Sequence, residues 1–97
     1  METQKHVIVR THSAGVWFGI IKKLEGSIVI ITDARRLWYW SGAASLSQLA
    51  VEGTKRPNDC KFTVTITDKD GVYLPQVIEV LPCTKEAVNN IFERVNK

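Results

Sequence analysis

Residues 33–40 read DARRLWYW, placing two arginines directly ahead of Leu37, Trp38, Tyr39 and Trp40. A guanidinium can pair with a phosphate or carboxylate through two parallel N–H bonds, and an indole can stack on a flat ring. On an extended strand alternate residues share a face. That rule groups Arg36, Trp38 and Trp40 on one side, and Arg35, Leu37 and Tyr39 on the other. The first set suits a flat, anionic ligand. The same residue types also have a purely structural use. Tryptophan buries a large area in a thin domain, and arginine stems pack across its ring with no ligand present. Both uses stay open for Trp17, Trp38 and Trp40, the three tryptophans of the chain. For Arg36, an ion pair within the fold stands beside ligand contact.

Further positions extend the basic, polar set. Arg10 and His12 lie near the end of an apolar run, and the segment HSAG that follows offers Ser13 and backbone amides around Gly15. These join the Arg36 surface if the first strand neighbours the RRLWYW strand. Lys55 and Arg56, in the polar segment TKRPND, read either as phosphate contacts or as solvated loop charge. Catalytic constellations are missing from the chain: it has no glycine-rich phosphate loop, no paired metal-binding histidines and no nucleophile elbow. Cys60 follows Asp59, whose charge raises a thiol pKa. A non-enzymatic protein without cofactor or metal is the expectation.

These residues must be positioned by a small fold. The β-branched run at 6–11 reads as a buried strand, and VWFGIIKKL as a second. Residues 25–27 form a hairpin turn before a third strand at 28–32. After Asp33 and Ala34, residues 35–40 read as a fourth strand. Ala44, Leu46, Leu49 and Ala50 follow helical spacing, and Gly53 marks a stop. CKFTVTIT alternates, with Phe62, Val64 and Ile66 on one face. YLPQVIEVL follows the DKDG turn as another strand, Pro75 placing an edge or bulge at its start. A C-terminal helix starts at its N-cap Thr84, with Val88, Ile91, Phe92 and Val95 as its apolar stripe. The expected fold is α+β in a single domain, residues 1–97. It consists of a small antiparallel curled sheet or open barrel of five to six strands, one short internal helix and a C-terminal helix.

The chain has 97 residues and a net charge of +3. Up to Lys61 there are nine Lys/Arg against five Asp/Glu, or +4, and beyond it four against five, or −1. The basic excess therefore lies with the tryptophans and favours an anionic partner there. No window approaches the roughly 18 apolar residues that span a bilayer, and METQKHVIVR lacks the apolar core of a secretion signal. A cytoplasmic protein with no membrane partner is expected. Cys60 and Cys83 are accordingly read as buried free thiols.

VIVRTHSAGVWFG, DARRLWYWSGAASLSQLA, CKF and VIEVLPCT together resemble a family of short, uncharacterised proteins carried by bacteriophages and prophages. The resemblance spans about residues 7–84, and the A-R-R-L-W-Y-W-x-G-A block is its specific part. It implies a host-cell setting in which small proteins bind rather than catalyse. Three functions follow as expectations. The first is a homo-oligomeric sponge that sequesters a small anionic nucleotide of defence signalling, with Arg35 and Arg36 on phosphates and Trp38 or Trp40 on a base. Arg10, Ser13 and Lys55 or Arg56 would close that site. The second is a single-stranded nucleic-acid-binding module. The third is an antagonist of a host protein, anchored by its tryptophans.

Overall fold

The computed structural model describes residues 5–40, 45–55, 60–63, 65–67 and 69–94, with the side chains of all of these except residues 38, 39 and 92–94. Its strands are β1 (His6–Thr11), β2 (Val16–Glu25), β3 (Ile28–Tyr39), β4 (Lys61–Phe62), β5 (Val72–Leu74) and β6 (Val77–Pro82). Its helices are α1 (Leu46–Glu52), between β3 and β4, and α2 (Lys85–Arg94) after β6. Every strand pairing is antiparallel, in the order β4-β3-β2-β1-β6, with β5 also paired to β3. The fold is the expected α+β arrangement, an unclosed curled sheet with one internal and one C-terminal helix.

Residues 28–32 and 35–39 form one strand rather than two. Asp33 does not break it, because the pairing with β2 absorbs an extra residue there. Ile20 faces Thr32 and Phe18 faces Arg35, so three steps along β3 match two along β2. Asp33 takes a φ of 50°, a left-handed conformation that aspartate tolerates better than most residues. Gly19 makes the bulge possible. A Cβ there would lie 2.9 Å from the Thr32 carbonyl oxygen and 3.3 Å from Ala34 Cα. Bulges bend and twist the strands that carry them. The long β2–β3 hairpin therefore coils across the other strands.

The segment expected as one strand at 73–81 is also two. β5 pairs with β3 and β6 with β1, on opposite sides of β2, so Pro75 and Gln76 carry the chain from one edge to the other. Two residues can span that gap only in a curled sheet. The junction is bonded on both sides: His12 N–H donates to the Gln76 carbonyl at 3.0 Å, and Val77 N–H to the Ser27 carbonyl at 2.9 Å. The expected strand through Ile66 shortens to β4 plus an isolated bridge between Ala34 and Ile66. Phe62 is buried while Ile66 is exposed, so the two do not share a buried face. Val64 lies outside the described residues.

Curling creates two cores. Val7, Val9, Trp17, Val29, Ile31, Ala34 and Leu74 form one cluster. Ile8, Phe18, Leu37, Leu49, Ala50, Cys60, Phe62 and Ile91 form the second, between sheet and helices. β1 has apolar residues on both faces, which is why its run VIV is unbroken rather than alternating. Burying each large side chain stabilises the fold by about 1.5–3 kcal/mol.

The helices close the second core. Ser45 Oγ accepts the Gln48 N–H at the start of α1, and Gly53, at a φ of 76°, ends it as the sequence predicts. Thr84 caps α2 by accepting the Ala87 N–H at 3.1 Å. Asn90 ties the two helices, accepting the Thr54 N–H at 2.8 Å and donating to the Thr54 carbonyl at 2.9 Å. Cys60 and Cys83 are free thiols; Cys60 is buried, and burial pushes half-buried Cys83 up to about 12.

His6 stacks on Phe18 with ring centroids 5.5 Å apart. Loss of solvation lowers its pKa below the ordinary 6.5, and the charge of Asp33 opposes this in part. Neutral His6 thus contributes stability that is fully present above pH 6.5 and is lost as pH falls through its lower folded value. Thermal unfolding followed from about pH 7.5 down to about pH 5 should show a falling midpoint, with a shallower slope in His6→Gln.

Candidate functional site

β2 lies between β1 and β3, so the first strand does not neighbour the arginine-tryptophan strand. The two motifs meet by another route. Val16, the first residue of β2, faces Leu37, and this lays residues 13–15 beside the end of β3. Ser13, Ala14, Gly15, Val16, Arg36, Leu37 and Trp40 line a solvent-open cleft of about 440 Å³. That volume lies within the range of small-molecule sites.

Arg36 stands at the centre of the arrangement. It sits directly opposite Trp17 in the β2–β3 register, and its guanidinium carbon lies 4.6 Å from the centroid of that ring. Trp17 is only 6% exposed, and its indole N–H donates to the Ala14 carbonyl at 3.0 Å. The platform beneath Arg36 is therefore fixed to the loop that forms the other wall. Thr63 holds the Arg36 backbone on both sides: its Oγ1 accepts the Arg36 N–H at 2.8 Å, and its N–H donates to the Arg36 carbonyl at 2.9 Å. The guanidinium is exposed and makes no ion pair or hydrogen bond among the described residues. Stacked on an indole, it keeps its planar edge of N–H donors for an anion.

Trp40 reaches the cleft from an unexpected side. Strict alternation places it with Arg36, yet it packs against the core cluster that contains Leu37 and Phe62. The cause is a further bulge: Leu37 faces Phe62 and Tyr39 faces Lys61, so β3 takes two steps for one along β4. A one-residue slip exchanges the faces beyond it. Half-buried Trp40 then forms, with Val16 and Leu37, an apolar wall beside the Arg36 donor.

The remaining expected site residues fall elsewhere. Arg35 is 5% exposed and points to the helical side. Its Nε donates to the Thr63 carbonyl at 2.7 Å, one terminal nitrogen donates to the Ile91 carbonyl at 3.2 Å, and the guanidinium lies over Phe62. Burial lowers its pKa from the ordinary value. Arg35 fastens α2 to the sheet and is not brought to the cleft. Arg10 pairs with Glu79 at 3.1 Å on the exposed surface, away from the cleft lining. Lys55 is exposed and does not line the cleft. Arg56 and the Trp38 side chain lie outside the described residues. Ser13 is present, its hydroxyl donating to Gln76 Oε1 at 3.3 Å.

The model of the family described as Domain of unknown function (DUF6948) matches residues 4–91. The chain belongs to this family. Both walls of the cleft fall within the matched span of the DUF6948 domain. No curated protein and no solved structure matches the chain.

Sequence reasoning on this DUF6948 chain missed Trp17 as the platform of Arg36 and Gln76 as the partner of Ser13. Both depend on register across strands that are distant in sequence. Among the described residues, no group of three His, Cys, Asp or Glu side chains is placed to hold a metal. The cleft lining, among the described residues, contains no carboxylate, histidine or thiol.

The two adjacent arginines should separate cleanly in unfolding experiments. Arg35→Ala strands the buried Ile91 carbonyl and the part-buried Thr63 carbonyl and should cost about 2–4 kcal/mol. Arg36→Ala removes an exposed cation–π contact and should cost less than about 1 kcal/mol. Urea midpoints of the two variants against the parent protein check this.

Proposed function

We propose that this DUF6948 chain is a non-enzymatic binding protein that holds and sequesters a small anionic nucleotide. The observation that carries the reading is the exposed Arg36 guanidinium, stacked on Trp17 beside the apolar wall of Val16, Leu37 and Trp40. The anionic group pairs with the edge of Arg36, and the flat base lies against Trp40 and its neighbours. A charge-assisted pair and a stacking surface in one cleft are what a nucleotide needs and what a simple anion does not. The resemblance to phage-borne proteins makes a nucleotide of bacterial defence signalling, met in the host cytoplasm, the natural cargo. In this reading a second copy of the chain closes the open side of the cleft.

A protein-antagonist reading also has support. Leu24, Ile28, Tyr73 and Ile78 are exposed. They gather around the β2–β3 turn, since Tyr73 faces Ile30 and Val77, beside Ile78, is bonded to Ser27. That surface, rather than the tryptophans, would meet a protein partner.

A thermal-shift screen against defence-signalling nucleotides decides between them. A ligand at a hundred times its dissociation constant adds about 2.7 kcal/mol, which raises the midpoint of a domain this small by roughly 10–20 °C. One nucleotide is expected to give such a shift in the parent and none in Arg36→Ala. A flat response to the whole panel overturns the nucleotide reading.

A further inference from the structure

Ser13 is the polar side chain of the loop wall, and Arg36 that of the strand wall. Gln76 does not line the cleft; it stands behind Ser13, at the crossover from β5 to β6, and accepts the Ser13 hydroxyl proton on Oε1. Its backbone position is strongly determined, and the exposed side chain extends from it to Ser13. Gln76 has a φ of 53°, a region that a residue other than glycine keeps only where its surroundings impose it. Its carbonyl accepts the His12 N–H, and the next residue, Val77, is bonded to Ser27.

A serine hydroxyl has one proton and two lone pairs, whereas a guanidinium has donors only. With its proton directed to Gln76, Ser13 turns lone pairs toward whatever enters the cleft. Of the cleft's side chains, one pole therefore donates and the other accepts. A phosphate oxygen is matched at Arg36 and mismatched at Ser13. We propose that Gln76 is a positioning residue that makes the cleft selective for ligands carrying an anion at one end and an N–H or O–H donor at the other. This inference rests on the cleft being a nucleotide site. Taking the donor to be the base's amino or hydroxyl group rather than a ribose hydroxyl, it narrows the class to nucleotides whose base presents one, and it disfavours inorganic phosphate and bases that only accept.

Matched probes test it in the full chain. AMP is compared with purine riboside 5′-monophosphate, which lacks the exocyclic amine, and GMP with IMP, which lacks the 2-amino group. Binding is followed by NMR at the Trp40 indole and the Ser13 and Gly15 amides. In at least one pair the amino-bearing member is expected to bind roughly three- to tenfold more tightly, the scale of one hydrogen bond. Ser13→Ala should erase the preference. Gln76→Glu, which keeps an acceptor facing Ser13, should keep it. Gln76→Asn, a residue at ease with positive φ but one methylene shorter, should lose it without loss of fold. Equal binding within both pairs, a preference that survives Ser13→Ala, or its inversion in Gln76→Glu overturns the inference while the nucleotide reading stands. No response to any of the four probes overturns the inference, and the nucleotide reading then falls only if the defence-nucleotide panel is flat as well.

Discussion

The arrangement depends on a bend where Gly19 of β2 passes the bulge at Asp33 of β3. A flat antiparallel sheet of these strands would leave β3 and β1 apart, with β2 between them. The two residues between β5 and β6 could not join their edges. Coiling the long hairpin brings the edges together, gives the sheet two buried faces and sets Gln76 against the loop after β1. A side chain at position 19 would press on backbone atoms across the bulge, and backbone cannot yield as a rotamer can. The glycine and the aspartate therefore act as a pair, one giving room and the other taking the unusual dihedral.

Adjacent arginines on a strand face opposite ways, and here the two sides differ completely in what they offer. Arg35 is surrounded by protein and satisfied by the carbonyls of Thr63 and Ile91, with Phe62 beneath it. Arg36 lies on Trp17 with its donors toward the cleft. Thr63 serves both, taking Nε–H of Arg35 on its carbonyl and holding the backbone of Arg36 with its hydroxyl. The packing that fixes the buried arginine thus also fixes the exposed one. A donor held in place before a ligand arrives loses less on binding than one that must be ordered.

Much of the fold was legible from local chemistry. The β-branched run of β1, the turn at Gly26, the stop at Gly53 and the cap at Thr84 depend on residues within a few positions of one another. What was not legible depends on partners far along the chain. Asp33 reads as a strand end unless Gly19 is known to lie opposite, and Trp40 changes face because β4 pairs one step short. Alternation separates Arg35 from Arg36, but only the placement of α2 decides which of them is buried. The adjacency assumed for Arg10 failed for the same reason, since β2 occupies the place beside β3.

The central claim is that Arg36 makes the surroundings of Trp40 selective for anions. Tryptophan quenching by iodide and by caesium at matched ionic strength tests it directly, with the Trp40 contribution taken as the difference between the parent and Trp40→Phe. With each ion referenced to its quenching of free N-acetyltryptophanamide, iodide should quench that contribution more strongly than caesium, and Arg36→Gln should remove this relative asymmetry. Equal referenced quenching by the two ions in the parent protein would contradict the account.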